Sequence, residues 1–282
     1  MKPLSAALAL ALVAAPATAG AYCRTRTVAQ TDPTRCASDG APLFWAGGCV
    51  SLHVNPTVLA PNIPGEQLRV VVDEATRAWK TVACDPVTRA APTFELVLGA
   101  DRTDAVGYEE GKPNANIVAW RSRWGDDSYH DPRAAAITIV TFGSRSATIL
   151  DADTELNVRA VFPFSLDGGP GTTDLRTVVV HELGHTMGLA HSGDRNAVMW
   201  YTAGQGERRR TPNADDIAGL CAIYPPSRAI RCDPEVRVES LEGAGFACAA
   251  APGRRAGSAA VLAVGVAALA AFRAWRRRRR AD

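Results

Sequence analysis

His181-Glu182-Leu183-Gly184-His185-Thr186-Met187-Gly188-Leu189-Ala190-His191 is the stretch on which the reading of this chain turns. It fits H-E-x-x-H-x-x-G-x-x-H at every specified position. On a helix, His181 and His185 lie one turn apart on the same face and reach one metal ion. Val178, Val179 and Val180 drive the preceding turn into the core and make the helix a rigid platform. Gly188 takes a backbone conformation denied to other residues, so the chain doubles back and brings His191 to the same ion. Three imidazoles leave the fourth position of a zinc ion open for water, the arrangement of a catalytic site and not of a structural one. Glu182 points beside the metal, where it takes a proton from the zinc-bound water and later protonates a leaving amine. The bland alternative is three satisfied histidines on an ordinary helix. The third histidine at this spacing argues against it.

Working outward, Asp167-Gly168-Gly169-Pro170-Gly171 is a loop, and Thr172 or Thr173 caps a helix that runs to about Met187. Pro64-Gly65-Glu66 opens an earlier helix, whose apolar stripe is Leu68, Val72, Ala75, Trp79 and Val82. Cys49 to Val54 alternates as a half-buried strand. Phe94 to Leu98, Ile117 to Trp120, Ala136 to Phe142 and Ala147 to Leu150 read as further strands separated by Gly and Asp. Thr211-Pro212-Asn213 begins a last helix through Ile217, Leu220 and Ile223. Strands alternating with helices predict one α/β or α+β domain.

The ends read differently. Lys2, an apolar run from Leu4 to Ala15, Pro16 and small residues up to Ala21 form a secretory signal peptide. Near the other end, Ala256 to Phe272 is uncharged and apolar, followed by Arg273, Trp275 and five arginines from Arg276 to Arg280. That is a short membrane span with an interfacial anchor and cytoplasmic charge. The arginine run accounts for the net charge of +2, and the remainder is slightly acidic, so a nucleic-acid partner is not expected. The seven cysteines, Cys23, Cys36, Cys49, Cys84, Cys221, Cys232 and Cys248, suit an oxidising compartment, with the pairing open. The resulting division is a signal peptide at 1–21, an irregular leader at 22–46, a catalytic domain at 47–226, a linker at 227–255, a membrane or sorting segment at 256–275 and a basic tail at 276–282.

The histidine segment resembles the zinc signature of the metzincin metallopeptidases, which also carry a methionine turn beneath the metal. Met199, in Ala197-Val198-Met199-Trp200-Tyr201, stands eight residues after His191 and matches it. Within the metzincins the chain is most similar to the matrixins. Ser192 follows the third histidine, and Asn213-Ala214-Asp215-Asp216-Ile217-Ala218-Gly219-Leu220 with Tyr224 resembles the matrixin closing helix. The resemblance covers about residues 47 to 225. It implies a zincin-like fold with a twisted, mostly parallel sheet, and a monomeric zinc endopeptidase acting on polypeptides. The substrate would extend along the edge strand Ala136 to Phe142. At the spacing where related families place a zinc-adjacent tyrosine stands Tyr201, readable equally as a packed turn residue. The propeptide cysteine of matrixins has only a faint echo in Thr34-Arg35-Cys36-Ala37, and a disulfide suits Cys36 better. Asp151, Asp153 and Glu155 offer oxygens to calcium, or are solvated acids at a strand end. His130 beside Asp126, Asp127 and Asp131 is too little for a second site. Arg208-Arg209-Arg210 borders the pocket or is a solvated charge run. The tail from Cys248 onward resembles myxobacterial sorting tails, which implies processing near that cysteine. A rival of another class is a non-catalytic surface binding module, which has no need of a base at Glu182. A second is a peptidase restricted to its own leader or one partner.

Overall fold

A computed structural model of the chain describes residues 21–112, 114–125, 130–226 and 259–267. The expected signal peptide up to residue 20, Asp126, Asp127, Cys232, Cys248 and the basic tail lie outside these residues. In chain order the elements are β1 (Cys23–Arg24), β2 (Cys49–Asn55), α1 (Gln67–Lys80), β3 (Glu95–Leu98), β4 (Asn116–Arg121), β5 (Ala134–Gly143) and β6 (Ile149–Asn157). They continue with β7 (Phe164–Ser165), β8 (Thr173–Asp174), α2 (Leu175–Thr186), β9 (Leu189–Ala190), α3 (Ala214–Ile223) and β10 (Ala259–Ala267).

The main sheet has the order β10-β5-β6-β4-β2-β3. β3, β2, β4 and β6 run parallel, while β5 is antiparallel to β6 and β10 antiparallel to β5. This is the mixed α/β, mostly parallel architecture expected. Parallel neighbours need crossovers, and α1 supplies the one between β2 and β3. Leu68, Val71, Val72, Ala75 and Trp79 bury one face of α1. Asp73 and Arg77 pair on its outer face, and Arg77 and Lys80 complement the dipole in the last turn. Val82 is buried just beyond the helix. The Trp79 indole donates to the Val180 carbonyl at 2.9 Å, which locks α1 onto α2.

Three expectations are corrected. The strand read as Ala147 to Leu150 is β6, Ile149–Asn157, and it runs straight through the acids. Asp151, Asp153 and Glu155 are not solvated; each is at most 3% exposed. Protein partners replace the water: Asp153 accepts from the Gly107 and Ile117 amides, and Glu155 pairs with Arg121 and His130. The cap of α2 is Asp174, whose carboxylate accepts from the Thr177 amide, rather than a threonine. Arg209 and Arg210 are not a solvated run either. Arg210 pairs with the buried Asp174, and the Arg209 amide donates to the Thr177 hydroxyl, so both brace the start of α2.

Two disulfides join described cysteines. Cys84–Cys221 ties the segment after α1 to α3 across 137 residues of sequence, and Cys23–Cys36 closes a loop in the leader. Cys36 is therefore bonded, in keeping with the disulfide reading. Among the described residues no helix is long and apolar enough to cross a membrane. The part of the expected membrane segment that is described, 259–267, is the strand β10.

Candidate metal centre

α2 runs through the core, and from Thr177 to Thr186 every residue is buried. It must therefore satisfy its polar side chains internally. His181 Nδ1 lies 2.7 Å from the Val198 carbonyl, and His185 Nδ1 lies 2.8 Å from the Leu189 carbonyl. A carbonyl only accepts, so each Nδ1 carries the proton and each neutral ring keeps its lone pair on Nε2. Those two Nε2 atoms face each other at 3.0 Å. Two lone pairs at that distance repel unless a cation lies beside both. Burial, and then the neighbouring imidazoles, push both histidines well below the ordinary histidine range, so a proton is a poor candidate for that cation.

His191 completes the group. Gly188, at φ +95°, turns the chain after α2, and a Cβ there would stand 3.1 Å from the Leu43 carbonyl oxygen. The His191 ring then sits 5.3 Å from that of His181 and 4.9 Å from that of His185, centroid to centroid. One ligand atom from each of the three lies within 4.8 Å of the others. Three neutral imidazoles, oriented by carbonyl acceptors, are a donor set that fits zinc.

Glu182 is fully buried, and Thr138 on β5 donates its hydroxyl to Glu182 Oε2 at 2.7 Å. The Thr138 hydroxyl also lies 2.9 Å from that of Thr154 on β6. The sheet thus fixes the direction of the carboxylate. Sequence reasoning passed over Thr138, a strand residue with no motif around it.

Beneath the histidines lies Met199, 1% exposed. A Cβ on Gly184 would stand 2.2 Å from its sulfur, so glycine in the helix is what lets the methionine reach this depth. The turn is held by Asp216, which accepts from the Val198 amide at 2.8 Å and the Met199 amide at 3.0 Å. Asp216 also closes a capping box with Asn213 at the start of α3. Burial raises the Asp216 carboxyl above its ordinary range, against the amide hydrogen bonds that lower it. Its neighbour Asp215 accepts from the Ser192 hydroxyl at 2.6 Å. Tyr201 is half-buried, with its ring 6.4 Å from that of His191 and stacked at 4.5 Å on Trp200. The arrangement therefore unites His181, Glu182, His185, Gly188, His191, Met199 and Tyr201 around one point. Asp151, Asp153 and Glu155 belong to the separate buried network on β6, and His130 is tied to Glu155 at 2.8 Å.

Residues 101–225 match the family model described as Matrixin. Matrix metalloproteinase-16 from Homo sapiens is 30% identical over 177 residues, covering 60% of this chain and 25% of its own length. Metalloendoproteinase 1-MMP from Arabidopsis thaliana is 37% identical over 60 residues, 21% of this chain and 16% of its own. Macrophage metalloelastase from Oryctolagus cuniculus is 33% identical over 115 residues, 40% of this chain and 23% of its own. The chain spans a quarter or less of the length of these relatives.

Proposed function

Since the chain is a metzincin, matrixin-like protein, we propose that it is a zinc-dependent endopeptidase that hydrolyses internal peptide bonds of extracellular polypeptides. The observation that carries this reading is the pair of Nε2 lone pairs 3.0 Å apart, with a third imidazole beside them and a buried carboxylate on the same helix. His181, His185 and His191 would hold the ion. Zinc supplies a Lewis acid there, which lowers the pKa of an adjacent water and polarises the scissile carbonyl.

The chain's own groups do the rest. Glu182 accepts a proton from the attacking water as its oxygen bonds to the carbonyl carbon. It then delivers that proton to the amine nitrogen as the C–N bond breaks. Thr138 keeps the carboxylate turned to this task through its hydrogen bond to Oε2. The Tyr201 hydroxyl stabilises the oxyanion from the His191 side. An extended substrate pairs with β5 as an added antiparallel strand. In this structure β10 holds that edge, from Ala259 opposite Gly143 to Ala267 opposite Ala134, so substrate pairing requires that segment to leave. The two leader and domain disulfides favour an oxidising, extracytoplasmic setting for this chemistry.

The test is cleavage of casein by the full chain, with zinc, with chelator and as Glu182→Ala. Activity should require zinc and fall by about 10²–10⁴-fold in Glu182→Ala, the range for loss of a general acid–base group, while zinc content is unchanged. A zinc-loaded, folded chain that cleaves neither casein nor a broad peptide library, with or without residues past 250, would instead make this a binding module.

A further inference from the structure

The leader does more than precede the domain. Its strand β1 pairs with β9, placing Cys23 opposite Ala190 and Arg24 opposite Leu189, immediately before His191. The Thr25 amide donates to the Gly188 carbonyl at 2.8 Å. The Thr25 hydroxyl donates at 2.8 Å to the Leu189 carbonyl, the same oxygen that orients His185. At Gln30 the contact reaches the third histidine itself. Gln30 Oε1 accepts from the His191 amide at 3.1 Å, and Gln30 Nε2 donates to the His191 carbonyl at 3.2 Å. Nε2 also donates to the Arg35 carbonyl at 2.9 Å, which ties the side chain back to its own loop. That loop is closed by Cys23–Cys36.

We propose that Gln30, presented by the disulfide-closed loop 23–36, is a positioning residue for His191. The chemistry suits the task. A carboxamide carries an acceptor and a donor in one plane, which matches the N–H and C=O of a single extended residue. Both ends of the His191 peptide unit are thereby fixed, and with them the origin of its side chain. The other two histidines take their orientation from a rigid helix; this one stands beyond a glycine turn and takes it from a partner distant in sequence. The disulfide limits how far the clamp can swing away.

This inference rests on the reading of the three histidines as a zinc site, and the experiment separates the two. Zinc release from the full-length chain into excess chromophoric chelator is compared for the parent, Gln30→Ala, Gln30→Met and the double variant Cys23→Ser/Cys36→Ser. Thermal unfolding of each zinc-free chain is measured alongside. Gln30→Met keeps the length and apolar stem and loses both hydrogen bonds. Loss of an outer partner of a metal ligand commonly costs about 10–100-fold in metal affinity, so Gln30→Ala and Gln30→Met should both release zinc about tenfold faster or more. Their zinc-free melting temperatures should stay close to the parent's. The double variant should move in the same direction in its folded fraction. Release at the parent's rate from Gln30→Met would overturn the proposal, as would acceleration that merely tracks a lowered melting temperature. A parent chain that binds no zinc would sink the metal reading and this inference with it, and is recognised because the parent fails before any variant is made.

Discussion

Asp216→Asn tests whether the methionine turn is held from α3. Asp216 is fully buried, and its two oxygens serve three amides: Val198 and Asn213 at Oδ2, at 2.8 and 2.9 Å, and Met199 at Oδ1, at 3.0 Å. An asparagine has one acceptor oxygen. Its best orientation puts that oxygen at the two-amide side and turns its NH2 toward the Met199 N–H, leaving a buried donor facing another donor. A hydrogen bond to a charged group contributes about 1.5–3 kcal/mol, and an orphaned buried donor costs about 1–3 kcal/mol. Against this, the neutral amide escapes the desolvation that raises the Asp216 carboxyl. The net expectation is a loss of about 2 kcal/mol. For a domain of this size that lowers the melting temperature by about 4–8 °C. Urea unfolding of the zinc-free chain reads it directly, as a lower midpoint with an unchanged slope. A midpoint within about 0.5 kcal/mol of the parent, the scatter of ordinary surface substitutions, would mean that the turn is fixed by its own packing and that Asp216 is only a helix cap.

Gly184→Ala should destabilise by about 1–3 kcal/mol through overpacking, since its Cβ would meet the Met199 sulfur at 2.2 Å and Trp79 Cζ2 at 3.2 Å. Combining it with Met199→Ala should recover part of that loss, and strictly additive urea midpoints would contradict the contact. The Asp151–Asp153 pair sets a pH dependence. Burial first and the Asp153 charge second push Asp151 up to about 8, and burial pushes Asp153 up to about 6. Both folded-state values lie above the unfolded ones, so the pair's stabilising contribution is complete in acid. It is lost as pH rises through about 6 and then 8. Asp151→Asn should therefore be more stable than the parent at about pH 9, with the advantage shrinking below about pH 6; parallel stability curves for the two chains would refute the shared burial.

The parts of this protein legible in its sequence are those in which local pattern and tertiary role agree. Leu68, Val72, Ala75 and Trp79 recur at helical spacing because α1 packs one face on the core. His181, His185 and His191 are legible because one helix turn and one glycine turn suffice to gather them. The sequence is silent where the partner lies far away. Asp151, Asp153 and Glu155 look like solvated acids at a strand end, since nothing local reveals the amides of Gly107 and Ile117 or the side chains of Arg121 and His130. Arg209 and Arg210 look like a charge run for the same reason. Gln30 gives no signal at all: it stands in an aperiodic leader, 161 residues from the amide it caps.

These distant partners share one logic. Each ligand of the proposed metal has its orienting contact fixed by a different remote element. The Val198 carbonyl that orients His181 sits in a turn pinned by Asp216 on α3. The Leu189 carbonyl that orients His185 is shared with Thr25 of the leader, and Gln30 holds the backbone of His191. The helix alone brings two imidazoles together but does not set their tautomers or deliver the third. A site of this construction exists only when the leader, the helix and the closing helix are all docked. Metal binding is then linked to folding of the whole domain and not to one motif. A peptide carrying only residues 175–200 should hold zinc far more weakly than the chain, although it contains every ligand.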